Sequence, residues 1–514
     1  MQQSHLATGH ARLNDPHATP DAGCGVRIAP LAVAVAIGMA AASVAAVHGH
    51  AVGIGIAEPA AHRSSDASHG PWRHRETLRP RPIRDRAYGA AIAASAGSLW
   101  IGPGRDTDIG DGPATVTVLG PFIPPTPPTT TLEHPEGDRS AGFGLALAAA
   151  PGIGVAGSPH AGCSRRACDS GQAHLVLTED DGSTVLVEVP CPDAAPAAEF
   201  GAAVATDGRT VVVASPRADA AGLHDSGAVD VFRVSGTRSS RRAVHVARLI
   251  SPEPTVSARF GAAVAVDGDW LAIGEPGAGH GTPRPGAVHM YARTATGWAL
   301  HESLRASAGA VGWHGASVAL AGANLLVGAP FALADGGADP GSGRPRTGTA
   351  QWYALIDGTW SRQRTFGPGD VAADGTGFGM AVALHGPWAA VGAPGLDAAG
   401  EDSGAVWVIH LETGRSQRLA APHGAPGDGL GAGLAFLAPR ERGASLTLAA
   451  SMSPDPERPP VPGQVELFTL PAPQPSRSAS HDASASTMAA APEASVTPGG
   501  IHPEATIRAS ASAP

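Results

Sequence analysis

A short phrase recurs seven times along this chain of 514 residues. Each copy has an aromatic or other large residue before a Gly, a strand of small residues, a tight turn, and a second apolar strand that ends in or near Pro. The copies begin at Tyr88, Phe143, Phe200, Phe260, His314, Phe378 and Leu430. Their period of 52 to 64 residues is typical of an antiparallel sheet that is repeated as a propeller blade.

One repeat shows how the pattern predicts four strands. In the copy that begins at Phe260, apolar residues alternate on either side of Asp267-Gly268, a dipeptide suited to a two-residue hairpin turn. A third strand follows from Gly286, and a fourth runs over Trp298–Arg305. We therefore expect each repeat to form one four-stranded antiparallel blade.

The seventh repeat lacks a fourth strand, because its third strand at 463–470 runs into a Pro/Ser/Ala-rich tail. Residues 72–79 match the fourth strand Trp298–Arg305 at Trp, Glu, Ser/Thr, Leu and Arg, yet they precede the first complete repeat. Pairing this segment with the last blade removes an open sheet edge. The sequence thus predicts an all-β fold: a seven-bladed β-propeller over 72–470, closed by an N-terminal strand that completes the last blade.

The regions outside the propeller have no strand periodicity. Residues 1–27 and 471–514 are predicted to be disordered, the latter as a Pro/Ala/Ser-rich tail, and 48–71 is a linker. Residues 28–47 form an uncharged apolar run, which suits the h-region of a cleaved signal peptide or a membrane anchor, with an internal apolar segment as the third alternative. Either of the first two predicts an exported protein that is secreted, periplasmic or attached to the cell surface.

Charge and composition narrow the function further. The net charge of −10 argues against a nucleic-acid partner, since phosphate contacts need basic stripes. All basic side chains apart from His are Arg, because the chain contains no Lys, which we attribute to compositional bias. Aromatic residues make up 4% of the chain, which suits thin, tightly stacked sheets of small residues.

Four cysteines are present, and three of them fall in the second repeat. Cys163 and Cys168 are predicted to form a disulfide within one loop, as suits an oxidising compartment, and this leaves Cys191 as an odd thiol unless it is the true partner. A metal site is the less favoured interpretation, because no Cys/His pair at short spacing lies nearby.

The best copy of the phrase has Phe378-Gly379 at its start and Gly392-Ala393-Pro394 at the end of its second strand. It resembles the FG-GAP repeat, especially the bacterial variety with a Trp in the fourth strand. This resemblance implies an N-terminal propeller like that of integrin alpha subunits, which binds extracellular partners. Integrin-type repeats that bind calcium carry an acidic loop between these motifs, whereas this chain has only a short turn such as His385-Gly386. We therefore predict no metal site and no cofactor.

In a propeller, the connections between strands two and three share a face with the links between blades. These connections vary in length here while the opposite turns stay minimal, so this face is predicted to present binding loops on a rigid scaffold; the alternative is that its loops are merely unconstrained. The candidate binding residues are Asp106, Asp108, Asp111, Arg217, Asp219, Asp225, His280, Arg284, Asp335, Asp339, Arg344, Arg346, Asp397, Glu401 and Asp402. For the acidic ones, solvated turn-forming aspartates are the favoured interpretation. The alternative is a cation site at Asp106, Asp108 and Asp111, whose spacing is cation-like but lacks the later bidentate carboxylate of a full calcium loop. The basic ones could meet anionic sugars or acidic protein patches.

No nucleophile elbow, zinc-protease helix or phosphate-binding loop stands out, so we expect no enzymatic activity. The sequence predicts an exported binding or adhesion module with an extracellular protein or glycan partner. The alternatives are a structural or assembly component of the cell envelope and, less favoured, a propeller hydrolase or lyase, because some propellers host such enzymes in their axial pocket.

Overall fold

A computed structural model describes fifteen stretches of the chain. These are residues 71–79, 88–95, 97–103, 115–120, 129–137, 141–162, 169–178, 183–237, 240–277, 285–306, 312–333, 345–371, 375–438, 445–452 and 463–471. Apart from two single-turn 3-10 helices at Ala220–Gly222 and Gly369–Val371, the regular elements in these stretches are strands. No helix there is long and apolar enough to span a bilayer, and the apolar run 28–47 lies outside the described residues.

The strands form seven antiparallel sheets of four strands each, and each sheet is one blade. The strand before the first repeat is β1 (Arg73–Leu78). Blade 1 contains β2 (Ile92–Ser95), β3 (Ser98–Ile101), β4 (Thr115–Leu119) and β5 (Thr129–Glu133); blade 2 contains β6 (Ala146–Ala150), β7 (Ile153–Ser158), β8 (Gln172–Thr178) and β9 (Thr184–Glu188); blade 3 contains β10 (Ala203–Thr206), β11 (Thr210–Ser215), β12 (Ala228–Ser235) and β13 (Arg242–Ile250).

The remaining blades repeat this order. Blade 4 contains β14 (Ala263–Asp267), β15 (Trp270–Glu275), β16 (Ala287–Thr294) and β17 (Gly297–Arg305); blade 5 contains β18 (Ser317–Ala321), β19 (Asn324–Ala329), β20 (Thr349–Ile356) and β21 (Thr359–Phe366); blade 6 contains β22 (Val382–His385), β23 (Trp388–Ala393), β24 (Ala405–His410) and β25 (Ser416–Leu419); blade 7 contains β26 (Leu430–Leu437), β27 (Leu446–Met452), β28 (Gln464–Leu470) and β1.

The innermost strand of each blade packs against the innermost strands of both neighbouring blades. Contacts run from β2 to β6, β10, β14, β18, β22 and β26 in turn, and β26 again contacts β2. Seven four-stranded antiparallel blades therefore stand in a ring, as the repeat predicts.

The fourth strand of blade 7 is β1, which pairs antiparallel with β28. His74 Nε2 lies 2.6 Å from Glu466 Oε2, and the Thr77 hydroxyl donates to the same oxygen. The backbone of Trp72 exchanges two hydrogen bonds with the side chain of Gln417 in blade 6. Its buried indole packs edge-on against Trp388, with ring centroids 5.9 Å apart. The N-terminal segment thus contacts both of the last two blades.

The two glycines of the repeated motif meet across the boundaries that separate blades 4, 5, 6 and 7. Gly274, near the end of β15, lies so close to the next blade that an added Cβ would run into the carbonyl oxygen of Gly315. Gly328 meets Gly379, and Gly392 meets Gly431, in the same way. Because only glycine has no Cβ, the motif lets the backbones of neighbouring blades touch.

The residue before the first of these glycines fills the core of each blade. Phe143, Phe200, Phe260 and Phe378 are fully buried, and in blade 5 His314 occupies the same position with 2% of its surface exposed. Large aromatic anchors and small stacked residues therefore alternate in the interior.

The hairpins between first and second strands have two or three residues in blades 1 to 6, whereas eight residues separate β26 from β27 in blade 7, which differs from the minimal turns that the sequence predicts. The turn in blade 4 differs by one residue from the prediction. Asp267 is the last residue of β14 and pairs with Trp270, so the two turn residues are Gly268 and Asp269. Gly268 has a φ of 58°, a conformation that glycine adopts easily. In blade 3 the turn is held instead by Asp207, whose Oδ1 accepts the N–H groups of Arg209 and Thr210.

Candidate functional site

We call the face that carries the connections between second and third strands the upper face, and the face of the two-residue hairpins the lower face. On the upper face, each of four such connections is hydrogen-bonded to the linker that leads into the next blade. The donors and acceptors are Phe200 N to Ser170 O at 2.9 Å, Phe260 N to Ser226 O at 3.0 Å, Phe378 N to Thr347 O at 3.0 Å and Leu430 N to Ser403 O at 3.1 Å. These bonds confirm the prediction that the two kinds of connection lie together.

The backbone of this face is held in an unusual shape. Asp169, Asp225 and Asp402, which stand before the Ser-Gly of their connections, have φ values of 53°, 49° and 52°. In the linkers, Glu199 and Arg259 also have positive φ, at 56° and 57°. Left-handed residues other than Gly, Asn and Asp are uncommon, so the linker conformations are imposed by the hydrogen bonds between blades.

A charged cluster joins the loop of blade 3 to the linkers on both sides. Arg217 Nη1 lies 3.1 Å from Glu199 Oε1, and Arg217 Nε lies 3.6 Å from Asp225 Oδ1. Burial acts to lower the pKa of Arg217, but these two carboxylates outweigh it and raise the pKa. Burial lowers the pKa of the neighbouring Arg259, against the opposing charge of Asp225. Arg217 and Asp225 therefore act mainly as an internal brace, and only a small part of each side chain faces solvent.

Two of the predicted acidic residues stabilise their own loops. Asp219 Oδ1 accepts the backbone N–H of Asp225 at 3.0 Å, and Asp397 Oδ1 accepts that of Asp402 at 2.8 Å. Both bonds close the connection in the same way in blades 3 and 6, which fits the turn-forming interpretation. The carboxylate of Asp219 nevertheless remains 63% exposed beside His224, so it is also available at the surface.

Within the described stretches, one group of side chains brings three potential metal ligands together. Asp219, His224 and Asp225 each place a ligand atom within 4.8 Å of the other two. The guanidinium of Arg217 already lies against Asp225 and would repel a cation there. We therefore assign this group to loop bracing.

Some of the other predicted binding residues lie in the described stretches, and the rest lie outside them. Arg346 and Glu401 lie in the upper-face connections of blades 5 and 6, where their carbonyl oxygens accept the N–H groups of Gly375 and Gly427. Asp106, Asp108, Asp111, His280, Arg284, Asp335, Asp339 and Arg344 lie outside the described residues, as do Cys163 and Cys168. Cys191 is a free, half-buried thiol, and burial raises its pKa.

A polar cavity that the sequence analysis missed opens at the upper end of blade 4, next to the linker from blade 3. Its lining includes Ser251, Glu253, Thr255, Glu275, His289 and Arg305, and it encloses about 300 Å³ of empty space including the open mouth. Glu275 replaces the Ala of the Gly-Ala-Pro motif, and the strand register places Ile273 opposite His289, so that Glu275 and His289 are diagonal neighbours. An alignment of these two strands from the repeat motif could therefore have identified the contact between Glu275 and His289 from the sequence.

Hydrogen bonds link the buried groups of this cavity into a chain. Glu275 Oε2 lies 2.7 Å from both Ser251 Oγ and His289 Nε2, and His289 Nδ1 lies 2.9 Å from Ser303 Oγ. Ser303, His289 and Glu275 have the order of a hydrolase triad, but Ser303 is not part of the cavity lining. The chain is better suited to fixing Glu275 at the cavity floor.

These observations define a class of protein: a seven-bladed β-propeller whose blades are joined through a repeated Phe-Gly and Gly-x-Pro contact. The repeat is the FG-GAP repeat, and the family model of that description matches residues 190–232, 244–291 and 360–409. No curated protein matches the chain.

Among solved structures, the chain is similar to the β-propeller domain of the Trilobed protease from Pyrococcus furiosus, which is described as having an open velcro topology. The two share 9% identity over 74% of this chain and 95% of that chain, with a TM-score of 0.41. The number of blades rests on the strand pairing described above and not on this similarity.

Proposed function

We propose that the propeller is an exported binding or adhesion module that presents its upper-face loops to an extracellular protein or glycan. One observation carries the proposal: the connections between second and third strands, with 11 to 19 residues between strand ends, lie on the face where linkers brace them. The opposite hairpins between first and second strands described in blades 4, 5 and 6 have two residues each. A rigid scaffold with variable loops on one side is the usual arrangement of a recognition surface.

Charge on the same face supports polar recognition. Asp219 and His224 are well exposed there, with 63% and 69% of their side-chain surfaces open to solvent. The longest connection runs from Pro330 to Gly348 and contains acidic and basic residues in its sequence. Surfaces with both signs of charge select partners by electrostatic complementarity. The proposal assigns no catalytic step to the propeller.

The test is a binding screen of the full chain against glycan and protein arrays, followed by two sets of variants. Replacing residues 334–344 with a short Gly-Ser link should reduce binding while the melting temperature stays within the range of the parent, because the buried Thr347 and its bond to Phe378 are kept. The matched controls are the lower-face variants Gly322→Asn and Gly386→Asn, since both glycines have positive φ and open space around a new Cβ. Binding that survives the loop replacement but is lost in the lower-face variants would contradict the proposal.

Export has its own test, because it concerns the apolar run 28–47. N-terminal sequencing of the protein recovered outside the cytoplasm should begin near Ala45 if the run is a cleaved signal peptide. Recovery of the intact N-terminus in a membrane fraction would indicate an anchor, and recovery in the cytoplasm alone would contradict export.

A further inference from the structure

The cavity at the upper end of blade 4 has a buried carboxylate at its floor. Glu275 has 8% of its surface exposed and accepts hydrogen bonds from Ser251 and His289, which fix its position. In the tautomer that satisfies all four groups, His289 Nε2–H donates to Glu275 and the Ser303 hydroxyl donates to Nδ1.

The cation at the mouth of the cavity is already paired. Arg305 Nη2 lies 2.9 Å from Glu253 Oε1, so these two charges balance each other. Among the described residues, the ionisable partner of Glu275 is His289, whose Nε2 lies 2.7 Å from Oε2, and no Arg lies within ion-pair distance.

The size of the cavity restricts what can neutralise that charge. The room inside it for a water-sized group is about 20 Å³, enough for about one such group. A planar guanidinium is larger, and a divalent metal needs several ligands together, whereas the only described group with three converging ligand atoms lies elsewhere, at Asp219. A primary ammonium has the right size, one positive charge and three donors for the carboxylate and hydroxyl oxygens.

We infer that this cavity binds a single primary ammonium group, with Glu275 as its counter-ion and the hydroxyls of Ser251 and Thr255 as further acceptors. The inference deepens the proposed function, on which it rests for the biological source of the ligand, by naming the chemistry of one upper-face subsite. The chain has no Lys of its own, so a lysine side chain that enters the cavity must come from another protein. A free polyamine carries the same group.

The test uses saturation-transfer NMR on the full chain at physiological salt with small amines as probes. n-Butylammonium and Nα-acetyl-lysine methylamide should show transfer, whereas Nα-acetyl-arginine methylamide and tetramethylammonium should not. Glu275→Ser should weaken amine binding at least about 10-fold, since it removes a charge-assisted bond. Ser stands at this motif position in blades 2 and 3, as Ser158 and Ser215, so the blade architecture tolerates it.

A second variant separates binding from folding. Glu253→Gln changes an exposed carboxylate at the mouth and should alter affinity less than Glu275→Ser, and the melting temperatures of both variants verify that the propeller is folded. Equal amine binding by Glu275→Ser and the parent would overturn the inference. So would amine binding that appears only in Arg284→Ala, because the chain's own guanidinium would then be the natural occupant.

The source of the ammonium is decided by comparing a Gly-Lys-Gly peptide with putrescine. Tighter binding of the peptide indicates a lysine of a partner protein, and tighter binding of putrescine a free polyamine; both support the ammonium site. The proposed function can fail while the ammonium site holds. In that case amines bind in this way, but the protein and glycan arrays give no partner.

Discussion

A histidine stands where the other blades have a buried aromatic residue, and its replacement should stabilise the protein. His314 is fully buried, and neither ring nitrogen has a hydrogen-bond partner among the described residues. Burial and the charge of Arg362 lower its pKa from 6.5 to about 4. Phe143, Phe200 and Phe260 occupy the same position in other blades, so His314→Phe restores a side chain that this architecture accommodates.

The magnitude follows from the pKa. The unfolded chain protonates this histidine near pH 6.5, but the folded chain does so only near pH 4, so unfolding takes up a proton between these values. The neutral, buried His314 therefore contributes fully to the free energy of unfolding above pH 6.5, and this contribution is lost as the pH falls. The loss reaches up to about 1.4 kcal/mol per pH unit and about 3.4 kcal/mol in total. His174, whose pKa burial and the neighbouring His134 lower to about 4, adds a similar term that the variant retains.

Thermal and urea unfolding, followed by tryptophan fluorescence from pH 7.5 to 4.5, measure the effect. At pH 7.5 His314→Phe should gain about 1–3 kcal/mol from removing two unpaired polar atoms, and its advantage should grow towards pH 5. The reciprocal variant Phe378→His should show the opposite change in blade 6, where Phe378 is fully buried. A constant difference between His314→Phe and the parent at every pH would refute the reasoning, since it would mean that the folded protein accepts a proton on His314.

Three further predictions concern the ring and its ions. Trp72→Ala should lower the free energy of unfolding by about 3–5 kcal/mol, because the indole is buried between the last two blades. Trp298→Ala, at the half-buried matching position of blade 4, should lower it less. Equal melting temperatures of the two variants would contradict a stabilising N-terminal strand. Gly274→Ala should lower the free energy of unfolding by about 1–3 kcal/mol, because the new Cβ forces neighbouring blades apart. Chemical denaturation should show this loss relative to Gly424→Ala, a nearly neutral control. Calcium should leave the melting temperature unchanged relative to chelator because two-residue hairpins cannot supply six oxygens; a large shift that is lost on mutating the acidic 106–111 loop would contradict this.

The repeat predicted the strands closely because it reports two physical constraints at once. Alternating apolar residues define which side of a strand is buried, and the paired glycines define where blades touch, so the predicted fourth strand Trp298–Arg305 differs by one residue from β17 (Gly297–Arg305). The same logic placed residues 72–79 in the last blade, where β1 pairs with β28.

The candidate site was less predictable because its groups come together through register and backbone shape. Glu275 and His289 belong to different strands, and their contact follows only from the alignment of those strands. Glu199 and Arg259 adopt left-handed conformations that neither residue type favours, so no turn propensity marks them. Arg217 was recognised as an upper-face residue, but its role as a brace depends on Glu199, which sequence reasoning had no cause to select.

The pairing of β1 with β28 also bears on how the chain folds as it is made. The strand at residues 73–78 leaves the ribosome before every blade, but its partner at 464–470 is synthesised almost last. Blades 1 to 6 each join strands that are neighbours in sequence, so they can form during synthesis, whereas blade 7 must close a loop of nearly the whole domain. We therefore expect the capture of the first-made strand to be the final step of folding. A circular permutant with residues 71–79 moved behind Leu470 should replace that long-range search with a local hairpin.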